Sequence, residues 1–155
     1  MTTEHALRIV TGLCSKKEYC TADILSKLRK WEIAEEDIRK MMTFLYQYKF
    51  VDDARFARIY VEDKFRFNHW GMQKIVMMLR RKGIALEVIE EALEAADIRN
   101  YREECEALLA QKMRSLKEQD SYKLKAKLFR FGAGRGFDFD TICACLQNLL
   151  SEGSL

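Results

Sequence analysis

Apolar positions recur along the chain at the spacing of one helix face, i, i+3, i+4 and i+7. Ile24, Leu25, Leu28 and Trp31 make one such stripe, and Ile38, Met41, Met42 and Leu45 make the next. Shifted by 51 residues, the pattern falls on itself. Ala6 meets Ala57, Ile9 meets Tyr60, Val10 meets Val61, Ile24 meets Ile75, Leu28 meets Leu79, Ile33 meets Ile84, Ile38 meets Ile89 and Met42 meets Leu93. A further shift of 53 carries Ala57 to Ala110, Tyr60 to Met113, Ile75 to Leu128, Ile84 to Phe137, Ile89 to Ile142 and Leu93 to Leu146, with no gap. Few matched residues are identical, but their apolar character coincides, as in a repeated unit whose surface has diverged.

Each copy reads as three helices. In the first they fall near His5–Cys14, Thr21–Lys30 and Glu35–Tyr48. Thr21 suits an N-cap, and Glu35, Glu36 and Asp37 suit the positive end of a helix dipole. The second copy opens at Asp52-Asp53, either of which suits a cap, and continues through Phe56, Ala57, Tyr60, Val61 and Phe65. Asn68-His69-Trp70-Gly71 breaks it, Ile75, Val76 and Leu79 resume, and Gly83 supplies a left-handed helix end before a third helix near Leu86–Ala96. The third copy uses Cys105, Leu108, Leu109 and Met113, then Leu124, Leu128 and Phe131, then Ile142, Leu146 and Leu149. Helical order is expected to fade after Leu150. The expected fold is all-α: three tandem three-helix repeats over 1–51, 52–104 and 105–155. Units of about fifty residues bury little alone, so they should share cores in an elongated, curved array. A single compact helical bundle is the alternative.

Composition agrees with helices: 155 residues contain no proline, 48% are hydrophobic and 33% charged. No apolar run has the length of a membrane span and no signal-peptide pattern opens the chain, which points to the cytoplasm and away from membranes. The five cysteines are odd in number, and Cys143-Ala144-Cys145 lacks the two-residue gap of a zinc-ligand pair. They read as reduced, buried thiols, and no metal is expected.

Charge changes the picture more. The net charge is only +3, but it is segregated. Lys64 to Leu86 holds six cations and no acid, Glu87 to Glu104 holds seven acids against Arg99 and Arg102, and Ser121 to Phe137 holds five cations and no acid. Lys127 occupies the position of Lys74, and Arg135 that of Lys82, whereas the first copy has Asp23 and Trp31 there. Lys123, Lys127 and Arg130 form an i, i+4, i+7 stripe. Lys74, Arg80, Arg81, Lys82, Lys123, Lys127, Arg130 and Arg135 are therefore the candidate contacts to a polyanion, most naturally a nucleic-acid backbone. The alternative is that they solvate exposed helix faces. Phe67, His69 and Trp70 could stack on bases or could pack the turn between helices. Gly132-Ala133-Gly134-Arg135-Gly136 lacks the Gly-Lys-Ser/Thr ending of a phosphate loop and reads as a helix end. No nucleophile–base pair, metal cluster or cofactor motif is evident, so no enzyme activity and no cofactor are expected.

The run Phe50-Val51-Asp52-Asp53-Ala54-Arg55-Phe56-Ala57-Arg58-Ile59-Tyr60-Val61, then Trp70-Gly71, Lys74-Ile75, Leu79 and Lys82-Gly83-Ile84, resembles the signature of the RecX family of recombination regulators. Lys17-Glu18-Tyr19-Cys20 and Leu128-Phe129-Arg130-Phe131 with Arg135-Gly136-Phe137 extend the resemblance over nearly the whole chain. Met72 stands where that family frequently has Pro, and Cys20 where it frequently has Ser. The resemblance implies a monomer of three three-helix repeats that binds the RecA recombinase filament and its single-stranded DNA. It implies that filament extension is blocked or disassembly promoted, restraining recombination and the SOS response. A stand-alone helical nucleic-acid-binding protein, such as a transcription factor, and a protein-only scaffold are the alternative functions.

Overall fold

The computed structural model describes residues 1–153. All regular structure among them is helical, in three successive triplets. The first is α1 (Thr3–Cys14), α2 (Thr21–Lys30) and α3 (Glu35–Gln47). The second is α4 (Asp53–Arg66), α5 (Met72–Arg81) and α6 (Leu86–Ala95), and the third is α7 (Tyr101–Ser115), α8 (Ser121–Gly134) and α9 (Phe139–Gly153). The last helix thus continues past Leu150, where its order was expected to fade; Ser154 and Leu155 lie outside the described residues. α7 begins at Tyr101, so its first turn falls on the 52–104 side of the boundary drawn from the sequence.

The chain folds into two compact bodies, one built from Met1–Ile59 with Leu79–Glu94, the other from Tyr60–Met78 with Ala95–Leu155. Ala6, Val10, Ile24, Leu28, Ile38 and Leu45 are buried together in the first. Cys105, Leu109, Leu128, Phe137, Ile142 and Leu146 are buried together in the second. Each fully buried Ile or Leu contributes about 1.5–3 kcal/mol, which is why the apolar stripes set the helix rotations.

The second helix of every triplet ends in the same turn. Glu32 (φ 58°), Gly83 (φ 77°) and Gly136 (φ 98°) occupy matched positions, and all three are left-handed. The amide after each reaches back to the helix: Ile33 N to Leu28 O at 3.1 Å, Ile84 N to Leu79 O at 3.2 Å, Phe137 N to Gly132 O at 3.1 Å. This is the Schellman arrangement, closed by a buried apolar residue, here Ile33, Ile84 and Phe137. Gly83 therefore does what its position in the sequence predicts, and Glu32 does it without the help of glycine.

Two capping expectations change. The N-cap of α2 is Cys20, not Thr21, and the Cys20 amide donates to Asp23 Oδ2 at 3.2 Å. Thr21 is the first helical residue, and its amide donates to Asp53 Oδ1 at 2.8 Å. Asp52 and Asp53 are therefore not interchangeable. Asp52 Oδ1 caps its own helix by accepting from Arg55 N at 3.0 Å, while Asp53 caps α2 of the preceding triplet.

The ungapped shift of 53 fails on α7. Ala110 and Met113 are only half-buried, while Cys105 and Leu109 are fully buried. Cys105 and Leu109 correspond to the buried Ala57 and Val61 of α4 at a shift of 48. The shift returns to 53 at α8, where Leu128 and Gly132 match Ile75 and Leu79 as buried positions. The five extra residues lie between these points. α8 absorbs most of them as an added N-terminal turn, seven residues ahead of Leu128 against three ahead of Ile75 in α5.

Candidate nucleic-acid interface

The triplet junctions decide which of the predicted cations are available. In the first, Lys82 Nζ meets Asp23 Oδ1 at 3.2 Å and lies 5.6 Å from the centre of the Phe56 ring. Arg55 Nε donates to Glu18 Oε1 at 2.7 Å. Burial alone would push the Asp23 carboxyl up; the hydrogen bonds from Cys20 and the Lys82 ammonium outweigh it and hold the carboxyl below its ordinary range. Lys82 and Arg55 are thus each paired with a carboxylate, while Lys17 and Lys27 lie 4.8 and 5.5 Å from the centre of the Tyr19 ring.

The second junction uses the same geometry with different chemistry. The α5 amides that helix formation leaves unpaired are satisfied by the third triplet. Gly71 N donates to Arg135 O at 2.7 Å, Met72 N to Tyr101 Oη at 2.9 Å and Gln73 N to Gly136 O at 3.0 Å. The backbones approach so closely that a Cβ on Gly136 would lie 2.3 Å from Lys74 Cβ, and one on Gly71 would lie 2.3 Å from the Gly136 carbonyl carbon. That contact requires glycine and sets Lys74 against Gly136, the residue that follows Arg135. Lys74 and Arg135 are the matched counterparts of Asp23 and Lys82, so an ion pair in the first junction becomes two cations in the second.

Lys64 joins them. Lys64 Nζ and Lys74 Nζ sit 4.9 and 4.5 Å from the centre of the Trp70 ring, which packs edge-on against Tyr60. The Arg135 guanidinium donates through Nη2 to the Asn68 carbonyl, and its Nε is buried without a hydrogen-bond partner. Among the described residues, no carboxylate lies within ion-pair distance of Lys64, Lys74 or Arg135. Such cation–ring contacts hold lysine stems in place at modest energy, about 0.5–1 kcal/mol each when exposed.

The other candidates distribute as follows. Arg80 and Arg81 are exposed at the end of α5. Lys123, Lys127 and Arg130 are exposed along α8, where their spacing covers about 10 Å of axis. Lys127 is within 3.7 Å of Glu118 Oε2, a loose and solvated pair. Phe67, His69 and Trp70 separate: Trp70 is half-buried in its cation–ring packing, His69 is exposed with a left-handed backbone (φ 56°), and Phe67 is 69% exposed. Sequence reasoning did not single out Lys64, which shares the Trp70 ring with Lys74. The only signal was its place at the start of the acid-free run.

The cysteines are free thiols, with Cys20, Cys105 and Cys145 buried. Burial pushes the Cys105 thiol far up, which keeps it a small hydrophobe. No helix among the described residues is long and apolar enough to cross a membrane.

The fold is that of an all-α tandem-repeat protein, and the comparisons with known proteins say which. The model of the second three-helix domain of RecX matches residues 52–93, and that of the third three-helix domain matches 100–146. The regulatory protein RecX of Clostridium beijerinckii is 32% identical over 151 residues, covering 96% of this chain and 68% of the relative. That of Chlorobaculum tepidum is 32% identical over 151 residues, covering 97% of this chain and 89% of the relative. That of Clostridium botulinum is 38% identical over 110 residues, but only 51% of its length is spanned. The crystal structure of RecX from Lactobacillus salivarius superposes with a TM-score of 0.84 at 20% identity, over 95% of this chain and 96% of that one. This chain belongs to the RecX family of regulatory proteins.

Proposed function

We propose that this protein regulates the RecA recombinase by binding the filament that RecA forms on single-stranded DNA, and that its effect is inhibitory. Family membership supports the partner, since the RecX resemblance implies RecA. The observation that carries the DNA half is the charge exchange between junctions: Asp23 with Lys82 in the first, Lys74 with Arg135 in the second. A fold that needed only mechanical strength at this junction would do as well with the neutral pair. Lys74, Arg80, Arg81, Lys123, Lys127, Arg130 and Arg135 are assigned to phosphate contact, and Lys82 to holding Asp23. Such contacts release counterions and make binding salt-dependent. The protein acts as a cytoplasmic monomer, by occupancy and without chemistry of its own.

The test is RecA-dependent ATP hydrolysis on single-stranded DNA at low salt, titrated with substoichiometric protein. Hydrolysis is expected to fall, and the combined Lys74→Ala, Arg81→Ala, Lys127→Ala variant to be weaker while keeping its helical circular dichroism. If neither hydrolysis nor strand exchange responds, the reading is abandoned.

A further inference from the structure

We infer that Lys64, Phe67, Lys74 and Arg135 form a one-nucleotide site for single-stranded nucleic acid, the cations holding a backbone phosphate while the Phe67 ring stacks on the adjoining base. The inference rests on the nucleic-acid half of the reading above and deepens it: it adds Lys64 and Phe67 to the residues assigned to the strand and gives the ring a base to stack on.

Three observations meet at this loop. The first is charge without a counter-charge. Lys64 and Lys74 lie against one ring, 4.9 and 4.5 Å from its centre, so their ammonium groups are no further apart than the sum of those distances. Flexible four-carbon stems let both reach one phosphodiester. Arg135 is fixed to the same loop through the Asn68 carbonyl, and no carboxylate among the described residues lies within ion-pair distance of its guanidinium.

The second is Phe67. It is the first residue beyond α4, and its amide still bonds to Asp63 O at 2.8 Å, so its backbone is held. Its side chain is 69% exposed, although Trp70, three residues on, finds packing in the same loop. A held backbone that offers an aromatic face in the loop where Lys64 and Lys74 meet Trp70 and Arg135 meets Asn68 matches the way proteins grip single strands, with backbone electrostatics and base stacking combined. Bases in a duplex are already stacked and present no free face to such a ring.

The third is the internal comparison. At the matched positions the first junction has Leu13, Lys16, Asp23 and Lys82. It has no aromatic at the position of Phe67, and its lysine is paired with its aspartate. Lys17 and Lys27 do lie 4.8 and 5.5 Å from the ring of Tyr19, the counterpart of Trp70, so what the second junction adds is the exposed ring of Phe67 and the replacement of the Asp23–Lys82 pair by Lys74 and Arg135.

The experiment measures binding of the full chain to three labelled probes by fluorescence anisotropy: a short oligothymidylate, the same backbone with abasic residues, and a duplex of equal length. Phe67→Ala is expected to weaken oligothymidylate binding about ten-fold and to leave the abasic strand and the duplex unchanged. Phe67→Trp should restore it. Lys64→Gln and Lys74→Gln should weaken all three probes, and each should reduce the single-strand salt slope by about 0.7. In a Trp31→Phe background, oligothymidylate should change Trp70 fluorescence, because the cations on its ring are drawn to phosphate. The site is overturned if Phe67→Ala weakens all probes alike or none, or if Trp70 fluorescence does not respond at saturation. A wild-type chain that binds DNA with no Phe67 effect removes this site alone. A chain with the Phe67 signature but no effect on RecA hydrolysis keeps the site and removes the regulatory reading.

Discussion

Glu32 holds a backbone conformation that a side chain disfavours, because the left-handed region brings Cβ against the following carbonyl. Glu32→Gly is therefore expected to stabilise the protein by about 0.5–1 kcal/mol, read as a higher urea midpoint at constant m-value. The matched glycines separate two costs. A Cβ on Gly83 meets nothing within 4 Å, so Gly83→Ala carries the conformational cost alone, about 1 kcal/mol. Gly136→Ala adds a collision with Lys74 Cβ at 2.3 Å and should cost about 1–3 kcal/mol more. Gly83 was legible in the sequence because glycine after a helical stripe signals a helix end. Glu32 was not, since a non-glycine residue carries no mark of its φ. Asp53 was legible as a capping residue but not as the cap of a distant helix, because side-chain reach across 32 residues has no local signal.

Elements are held to one another chiefly at helix starts. Tyr101, the first residue of α7, accepts the Met72 amide of α5 and packs its ring between Phe65 and Phe137. Tyr101→Phe keeps the ring and strands the amide, at an expected cost of about 1–2 kcal/mol. Burial pushes the Tyr101 hydroxyl up to about 12. The folded state therefore holds this proton more tightly than the unfolded chain, whose tyrosines titrate near 10. Its contribution is complete below about pH 10 and is lost as pH rises from there toward 12. Urea unfolding across that range should show the decline in the wild type and a smaller one in Tyr101→Phe. The helix triplets themselves were plain in the apolar periodicity, down to Ile24, Ile75 and Leu128. The rotation of α7 was not: an ungapped shift cannot register five inserted residues, and the added turn of α8 continues a helical pattern without interruption.

At the scale of the whole molecule, the charge exchange between junctions invites a direct transplant. Lys74→Asp places opposite Arg135 the carboxylate that Asp23 places opposite Lys82. The variant is expected to keep its helical content and thermal midpoint while its nucleic-acid affinity falls, with a single-strand salt slope smaller by at least about 0.7. Sequence reasoning could read the charged blocks because they are contiguous runs. It counted Lys82 among the free cations because pairing with Asp23 spans 59 residues and crosses a repeat boundary. It left Phe67 undecided because a loop has no periodicity from which to read which side chains turn outward.

The relayed caps have a consequence for synthesis. Synthesis makes α2 before Asp53, which receives the Thr21 amide, and α5 before Tyr101, Arg135 and Gly136, which receive the three amides at its start. α2 and α5 are therefore each made ahead of the groups that satisfy their first donors, whereas α8 carries its own cap in Asp120. α2 and α5 are fastened when the following triplet arrives. Assembly therefore runs like overlapping roof tiles, each course pinned by the next, and a chain ending at residue 100 lacks every group that pins the start of α5.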